Sequence, residues 1–326
     1  ELFEPLWEDL YAQLRSKGIG LRAIWICDAA SQGVSGQLNR QSLGNDPCWF
    51  DHSRDITHII NTFRMPRPIM AVGHSFGASV MIDVALNNPR LFSSMALMEP
   101  VVEIPDRTSR ERYTTPTYIC ARRKDQWPSR EAATEFFAKN PLYSTFDKRV
   151  LDQWTKYGLI DSPARKQGGT EVVLATSKHQ EVYTFQRPSY HAFSPDGKTL
   201  IDRAAVPDMD VDAGENAEIV PTYRPEMPFI FARLPNLRPD IQYIFGGKSY
   251  ISQKPQREEK MRVTGTGRGG SGGQKNGRVA AALSAKDGHA IPFQNPGFCA
   301  EAIANCAAKS LEPWRIEDQK FQEWAK

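Results

Sequence analysis

The feature that most constrains the fold of this 326-residue chain is an apolar segment that runs directly into a serine flanked by glycines. Residues 69–72, Ile-Met-Ala-Val, are typical of a strand buried on both faces. The pentapeptide Gly73-His74-Ser75-Phe76-Gly77 then fits Gly-x-Ser-x-Gly, the pattern of a nucleophile elbow. The apolar residues 78–86 predict a buried helix that Asn87-Asn88-Pro89 ends. The stretch therefore predicts a strand, a sharp turn that carries Ser75, and a helix.

Two physical requirements support this interpretation. A serine in such a turn is strained, so the residues two before and two after it, Gly73 and Gly77, must be small. The helix that follows would point its free N–H groups at Ser75, which favours a negative charge developing there.

Strand and helix alternate on both sides of this stretch, which predicts a mainly parallel sheet with helices on both faces. An opening amphipathic helix carries Phe3, Leu6, Leu10 and Leu14 at helical spacing. The other elements predicted from the pattern are a strand at 21–27, a polar loop at 31–36, a helix at 51–64, strands at 95–98, 241–247 and 279–283, a helix from 295 or 296 to 311, and a helical tail at 316–326.

The alternation is lost in the middle of the chain. We therefore predict a core formed by residues 1–112 and 238–326, and a mostly helical cap inserted at 113–237. Within the cap we expect one helix from Ser129 and a second that Asp147 caps, followed by a proline-rich loop. The glycine-rich run at 265–273 fails as a dinucleotide fingerprint because no strand leads into it and no apolar helix leaves it, so we expect a mobile loop.

Composition excludes several classes of protein. Hydrophobic content of 40% and charged content of 24% are ordinary for a globular domain, and a net charge of +3 is too small to indicate a nucleic-acid or membrane partner. Five scattered cysteines without a Cys-x-x-Cys pair favour reduced thiols over disulfides or a zinc site. No apolar run of about 18 residues predicts a membrane span, and no signal peptide is visible. We expect an intracellular protein without a metal or cofactor; its oligomeric state is left open.

A serine nucleophile needs a base within hydrogen-bond reach and a third group that orients this base. Among the six histidines, His289 follows a late strand, inside Asp287-Gly288-His289, and is the expected base. His74 lies beside the nucleophile, cannot turn back onto Ser75, and is expected to pack. The remaining histidines precede the elbow or lie in the cap: His52, His58, His179 and His191.

The acid that orients the histidine has several candidates. Residues 246–250, Gly-Gly-Lys-Ser-Tyr, end the strand before the last one and offer no carboxylate. Glu99 ends the strand after the elbow helix, from which it can reach the base, and is our choice. Glu103 and Asp106 are the alternatives, while Asp287 is expected to be a turn residue.

The elbow, Glu99-Pro100 and the residues around His289 together resemble the α/β-hydrolase superfamily. Residues 43–47 (Leu-Gly-Asn-Asp-Pro), 49–55 and 121–128 further resemble a fungal group of these hydrolases. That group contains peroxisomal lipase-like proteins, hydrolases of host-selective toxin clusters and the acyl-CoA hydrolase of mycophenolic acid biosynthesis. The resemblance implies a triad of Ser75, Glu99 and His289. An aspartate is common at the acid position, so Glu99 is a modest departure.

The resemblance also implies that the chain is a fragment. Relatives begin with two or three strands, and a loop before the helix that opens this chain supplies one oxyanion-hole N–H group; the other would be the backbone N–H of Phe76. Because a donor of this kind is worth roughly 10²–10³ in rate, we expect this chain alone to be impaired. Trp324-Ala325-Lys326 is not a peroxisomal tripeptide, so we expect either a cut C-terminus or a cytosolic protein.

The function implied is acyl transfer to water, with a small-molecule acyl substrate. The substrate would be a carboxylic ester, a lactone or an acyl-CoA thioester, in fungal secondary metabolism or toxin biosynthesis. Two alternatives stay open: a non-catalytic binding protein with a hydrolase fold, and an acyltransferase or cyclase that uses the same triad.

Overall fold

The computed structural model describes residues 1–104, 110–196, 199–209 and 223–326. Its central feature is a four-stranded sheet in which every neighbouring pair is parallel, in the order β1-β2-β6-β7. The strands of this sheet are β1 (Ile69–His74), β2 (Phe92–Met98), β6 (Asp240–Gly246) and β7 (Val279–Ser284). The predicted parallel sheet is confirmed.

Helices cover both faces of the sheet, because successive strand residues point to opposite sides. In β2, Met95 and Leu97 join one buried cluster, whereas Ala96 and Met98 join another. The first cluster packs beneath α3 (Trp49–Thr62), α4 (Phe76–Asn87) and α9 (Glu226–Arg233), and the second beneath α1 (Glu4–Ser16) and α12 (Pro296–Trp324). The predicted packing of helices on both faces of the sheet is confirmed.

The predicted cap contains helices and a small antiparallel sheet of order β3-β5-β4. Its elements are α5 (Arg110–Arg122), β3 (Gln126–Trp127), α6 (Arg130–Lys139), α7 (Lys148–Tyr157), β4 (Leu159–Asp161), β5 (Val172–Leu174) and α8 (Lys178–Phe185). The cap helices expected from Ser129 and Asp147 are α6 and α7, and both residues cap with their side chains. Helix α9, also within 113–237, packs its Met227 and Ile230 into the first core cluster. The limits of core and cap stay a prediction.

The prediction of a strand at residues 21–27 is wrong. These residues form no strand, and Ile24, Trp25 and Ile26 are 38%, 51% and 55% exposed. A strand needs a neighbour for its backbone groups, and in the described part of the chain the edge strand β1 pairs with β2 alone.

Two further elements differ from the sequence prediction. Residues predicted as a polar loop include the short helix α2 (Gly33–Leu38). Its first N–H groups bond to side chains: Gly33 donates to Thr176 Oγ1 at 2.9 Å and Val34 to Asp28 Oδ2 at 3.2 Å. The helix predicted to end near residue 311 and the helical tail form one helix, α12, which passes through Pro313.

The remaining regular elements are short or polar. They are α10 (Lys254–Val263), α11 (Ile291–Gln294) and the 3₁₀ turns Tyr143–Thr145, Tyr190–Ala192, Arg203–Ala205, Leu234–Asn236 and Gln274–Asn276. Among the described residues, no helix has the length and apolar content needed to cross a bilayer.

Candidate active site

Ser75 occupies the tight turn that the sequence predicted. Its backbone angles, φ 56° and ψ −125°, lie in a region that residues other than glycine rarely adopt, and α4 begins directly after it. A Cβ on Gly73 would lie 2.6 Å from the Cα of Ala78, so glycine is required there. The same requirement predicted for Gly77 is not found, because a Cβ at that position would meet nothing within 4 Å.

His289 reaches Ser75 from the loop after β7. Its Nε2 lies 2.9 Å from Ser75 Oγ. Asp287 shapes this loop, as expected of a turn residue, because its carboxylate accepts hydrogen bonds from Ser284 Oγ and Asn295 Nδ2. The structure therefore places the predicted base beside the predicted nucleophile.

Glu99 completes the row of side chains. Its carboxylate is fully buried, and Oε2 lies 3.3 Å from Nδ1 of His289. The backbone N–H of Gly246 donates to Oε1 at 2.7 Å, and the hydroxyl of Ser249 donates to Oε2. Two donors at the end of β6 thus fix the acid that follows β2.

This arrangement selects one tautomer of His289. When Nδ1 carries the proton and donates it to Glu99, the lone pair on Nε2 faces the hydroxyl of Ser75 and can accept its proton. The geometry is that of a nucleophile, a base and an orienting carboxylate in hydrogen-bond contact.

The alternative acids do not occupy this position. Glu103 is buried with its carboxylate 4.0 Å from Nζ of Lys260, and Asp106 lies outside the described residues. Of the histidines that the sequence analysis set aside, His58 is exposed on α3, with its Nε2 3.4 Å from the hydroxyl of Thr62.

His74 makes a contact that the sequence did not predict. Its Nε2–H donates to the backbone carbonyl of His289 at 2.8 Å, and the two rings lie 5.1 Å apart. The expected packing is also present, against Phe3 and Phe293. Burial, and secondarily the nearby imidazole of His289, lower the pKa of His74 to about 3, so this ring stays neutral. The sequence feature that could have indicated this contact is a polar residue at the end of an apolar strand, directly before the serine.

The mouth of the site brings together backbone and aromatic groups. Phe76 is the first residue of α4. Its backbone N–H is therefore one of the first-turn N–H groups that have no hydrogen-bond partner within the helix. The Phe76 ring packs on Trp49 at 5.8 Å, and the half-exposed Tyr250 lies 5.8 Å from the ring of His289. In the described part of the chain, no group of three or more metal-ligating side chains occurs.

The fold and this geometry agree with sequence comparison. Residues 3–218 match the alpha/beta hydrolase family, and the chain belongs to this family. It is an enzyme of the α/β-hydrolase class, and the resemblance drawn from the elbow and the residues around His289 is confirmed.

Particular relatives narrow the class. The chain is 34% identical, over an alignment of 345 positions, to the type I acyl-CoA thioesterase mpaH of Penicillium roqueforti (strain FM164), covering 99% of this chain and 77% of the relative. It is 25% identical to the abhydrolase domain-containing protein AKT2 of Alternaria alternata, covering 75% of this chain and 85% of that protein.

Among solved structures, the peroxisomal alpha-beta-hydrolase Lpx1 of Saccharomyces cerevisiae superposes with a TM-score of 0.62 at 14% identity, covering 97% of this chain and 82% of that one. This similarity concerns the fold.

Proposed function

We propose that this protein hydrolyses an acyl thioester or ester, with Ser75 as nucleophile, His289 as general base and Glu99 as the orienting acid. One observation carries the proposal: Ser75 Oγ, the His289 ring and the buried carboxylate of Glu99 form a continuous row, with contacts of 2.9 Å and 3.3 Å. Side chains from three separate parts of the chain meet in the order that the chemistry requires.

In the first half of the reaction, Ser75 Oγ attacks the acyl carbonyl carbon while Nε2 of His289 accepts the hydroxyl proton. The carbonyl oxygen becomes an oxyanion, for which the N–H of Phe76 and the start of α4 provide stabilisation. His289 then gives its proton to the leaving thiolate or alkoxide, and an acyl-serine remains.

In the second half, a water molecule attacks the acyl-serine with His289 again as base, and the carboxylic acid leaves as Ser75 regains its proton. The carboxylate of Glu99 stabilises the imidazolium that forms in each half. The donors Gly246 N–H and Ser249 Oγ serve this role because they satisfy the remaining lone pairs of a carboxylate with no access to water.

An acyl-CoA thioester is the substrate class that we favour. Support comes from three fungal relatives named type I acyl-CoA thioesterases, which are 33–34% identical and align with 99% of this chain. The predicted cap at 113–237 is the unit that we expect to select the acyl group. Roles in secondary metabolism and a peroxisomal or cytoplasmic location stay predictions.

The test combines labelling with substrate assays. A fluorophosphonate probe should label wild type and the control Ser144→Ala, a serine exposed in the cap, but not Ser75→Ala. Wild type should release thiol from acyl-CoA faster than it hydrolyses simple nitrophenyl esters or lactones. Ser75→Ala should release no thiol from acyl-CoA. Labelling that survives in Ser75→Ala would contradict the proposal. Faster transfer to an added alcohol or amine than to water would identify an acyltransferase instead.

A further inference from the structure

A second cluster of charged side chains lies at the amino-terminal ends of the sheet's strands, opposite the ends that Ser75 and Glu99 follow. An arginine stands one or two residues before each of its four strands: Arg67 before β1, Arg90 before β2, Arg238 before β6 and Arg278 before β7. Because the strands are parallel and neighbours lie roughly 5 Å apart, the four arginines must meet along one edge. Ser75 and Glu99 follow the other ends of β1 and β2.

The structure shows a cavity at this meeting point. It has a volume of about 250 Å³ and is lined by all four arginines, by Gly270, Ser271 and Trp314, and by the acidic residues Glu317 and Asp318. The cavity is polar and is open to solvent on one side.

The glycine-rich run explains how backbone reaches this cavity. Ser271 N–H donates to the Leu237 carbonyl at 3.1 Å and Gly272 N–H to that of Gly265 at 2.8 Å. A Cβ at Gly270 would collide with the carbonyl oxygen of Pro235. The run that was expected to be a mobile loop is thus held by hydrogen bonds against the entry to β6, and glycine is required at its closest approach.

The carboxylates around the cavity only partly neutralise its arginines. Arg238 pairs with Glu317, Arg278 pairs with Asp240, and Arg67 lies 3.7 Å from Asp318. The pairs of Arg67 and Arg238 are partly exposed, and ion pairs at such positions are weak and readily exchanged. Asp240, the partner of Arg278, is buried.

Arg90 differs from the other three. Its guanidinium lies over the Phe321 ring at 4.1 Å, and among the described residues it has no carboxylate partner. A guanidinium without a carboxylate partner, beside two weakly paired ones, is suited to a multiply charged anion.

We propose that this cavity binds a phosphate group, either as free phosphate or pyrophosphate or as the phosphate of a small organic ligand. A guanidinium group can bind two phosphate oxygens through two parallel N–H bonds. Several guanidinium groups around one cavity favour a dianion over chloride. Strands β1 and β2 run about 20 Å between the cavity and the elbow. The ligand is therefore separate from the acyl group that Ser75 attacks.

Binding is measured calorimetrically on the folded chain at constant ionic strength. Separate titrations with inorganic phosphate, pyrophosphate and adenosine diphosphate distinguish the sources of the phosphate group, and sodium chloride is the reference. We expect saturable binding of at least one of the three. Arg90→Gln should bind about tenfold more weakly or worse, since a charge-assisted hydrogen bond is lost.

Two matched variants separate the site from general charge. Arg262→Gln, on exposed α10 and paired with Glu259, removes the same charge elsewhere and should bind like wild type. Arg90→Lys keeps the charge without the forked geometry and should give an intermediate affinity. An unchanged melting temperature of each variant shows that the fold is intact. Binding that chloride reproduces, or equal affinity of wild type and Arg90→Gln, would overturn the proposal.

Discussion

Replacing His74 by phenylalanine removes a titratable group beside Ser75 while keeping a ring in its place. In wild type, the ring packs against Phe3 and Phe293, and Nε2–H donates to the carbonyl of His289. The variant keeps the packing and loses the hydrogen bond. It also loses a histidine whose pKa burial lowers from 6.5 to about 3.

The sign of the pH effect follows from linkage. Between pH 6.5 and pH 3 the unfolded chain binds a proton at His74 that the folded chain refuses, so acid destabilises the fold. Each pH unit in that window is worth about 1.4 kcal/mol, so this one group removes roughly 2–3 kcal/mol by pH 4.5. At pH 7.5 both states are neutral and the effect is absent.

His74→Phe should therefore change the pH dependence of stability. At pH 7.5 the variant should be less stable than wild type by about 1–3 kcal/mol, because the His289 carbonyl loses its partner. Toward pH 4.5 this difference should close or reverse, since the variant no longer carries the acid-sensitive group.

Urea unfolding at pH 7.5, 6.0 and 4.5, followed by tryptophan fluorescence, measures the free energy of unfolding. His58→Phe is the matched control, because His58 is exposed on α3, and its curve should run parallel to that of wild type. A constant free-energy difference between His74→Phe and wild type across this range would refute the argument that His74 is held neutral by the fold.

Two further substitutions test the row of side chains. Glu99→Gln should lower kcat by roughly 10³–10⁴, because an amide does not stabilise the imidazolium of His289. Steady-state kinetics measure this loss. The control Glu103→Gln should keep a near-normal kcat per folded molecule in the same assay. Gly73→Ala should lower the melting temperature and abolish fluorophosphonate labelling, because its Cβ would lie 2.6 Å from a backbone atom of α4. Gly77→Ala, with nothing within 4 Å of its Cβ, should keep both properties near wild type in the same two measurements.

The parts of the site that the sequence predicted are those with local causes. The turn at Ser75 is predicted from five consecutive residues, of which Gly73 is sterically required. His289 and Glu99 were identified because each follows a strand, and parallel strands bring their carboxyl ends to one edge of a sheet. Position along the chain was therefore enough to place three side chains in contact.

The parts that sequence could not predict depend on distant partners. The apolar residues 21–27 have the composition of a strand, but a strand forms only where a neighbour offers its backbone groups. Helix α2 begins where Thr176 meets its first N–H group, a contact across the chain. The bond from His74 to the carbonyl of His289 joins residues 215 positions apart, and no periodicity reports such a bond.

The backbone at Glu99 shows how the acid and the nucleophile are positioned together. Glu99, like Ser75, has a positive φ, 48° against 56°, which is costly for a residue with a side chain. The two strained residues end adjacent strands, and Ser75 N–H donates to the carbonyl of Met98 at 3.0 Å, directly before Glu99. Glu99 N–H in turn donates to the carbonyl of Ile244 in β6 at 2.9 Å. Because hydrogen bonds between neighbouring strands hold both residues, the gap that His289 must bridge is set by the pairing of β1, β2 and β6.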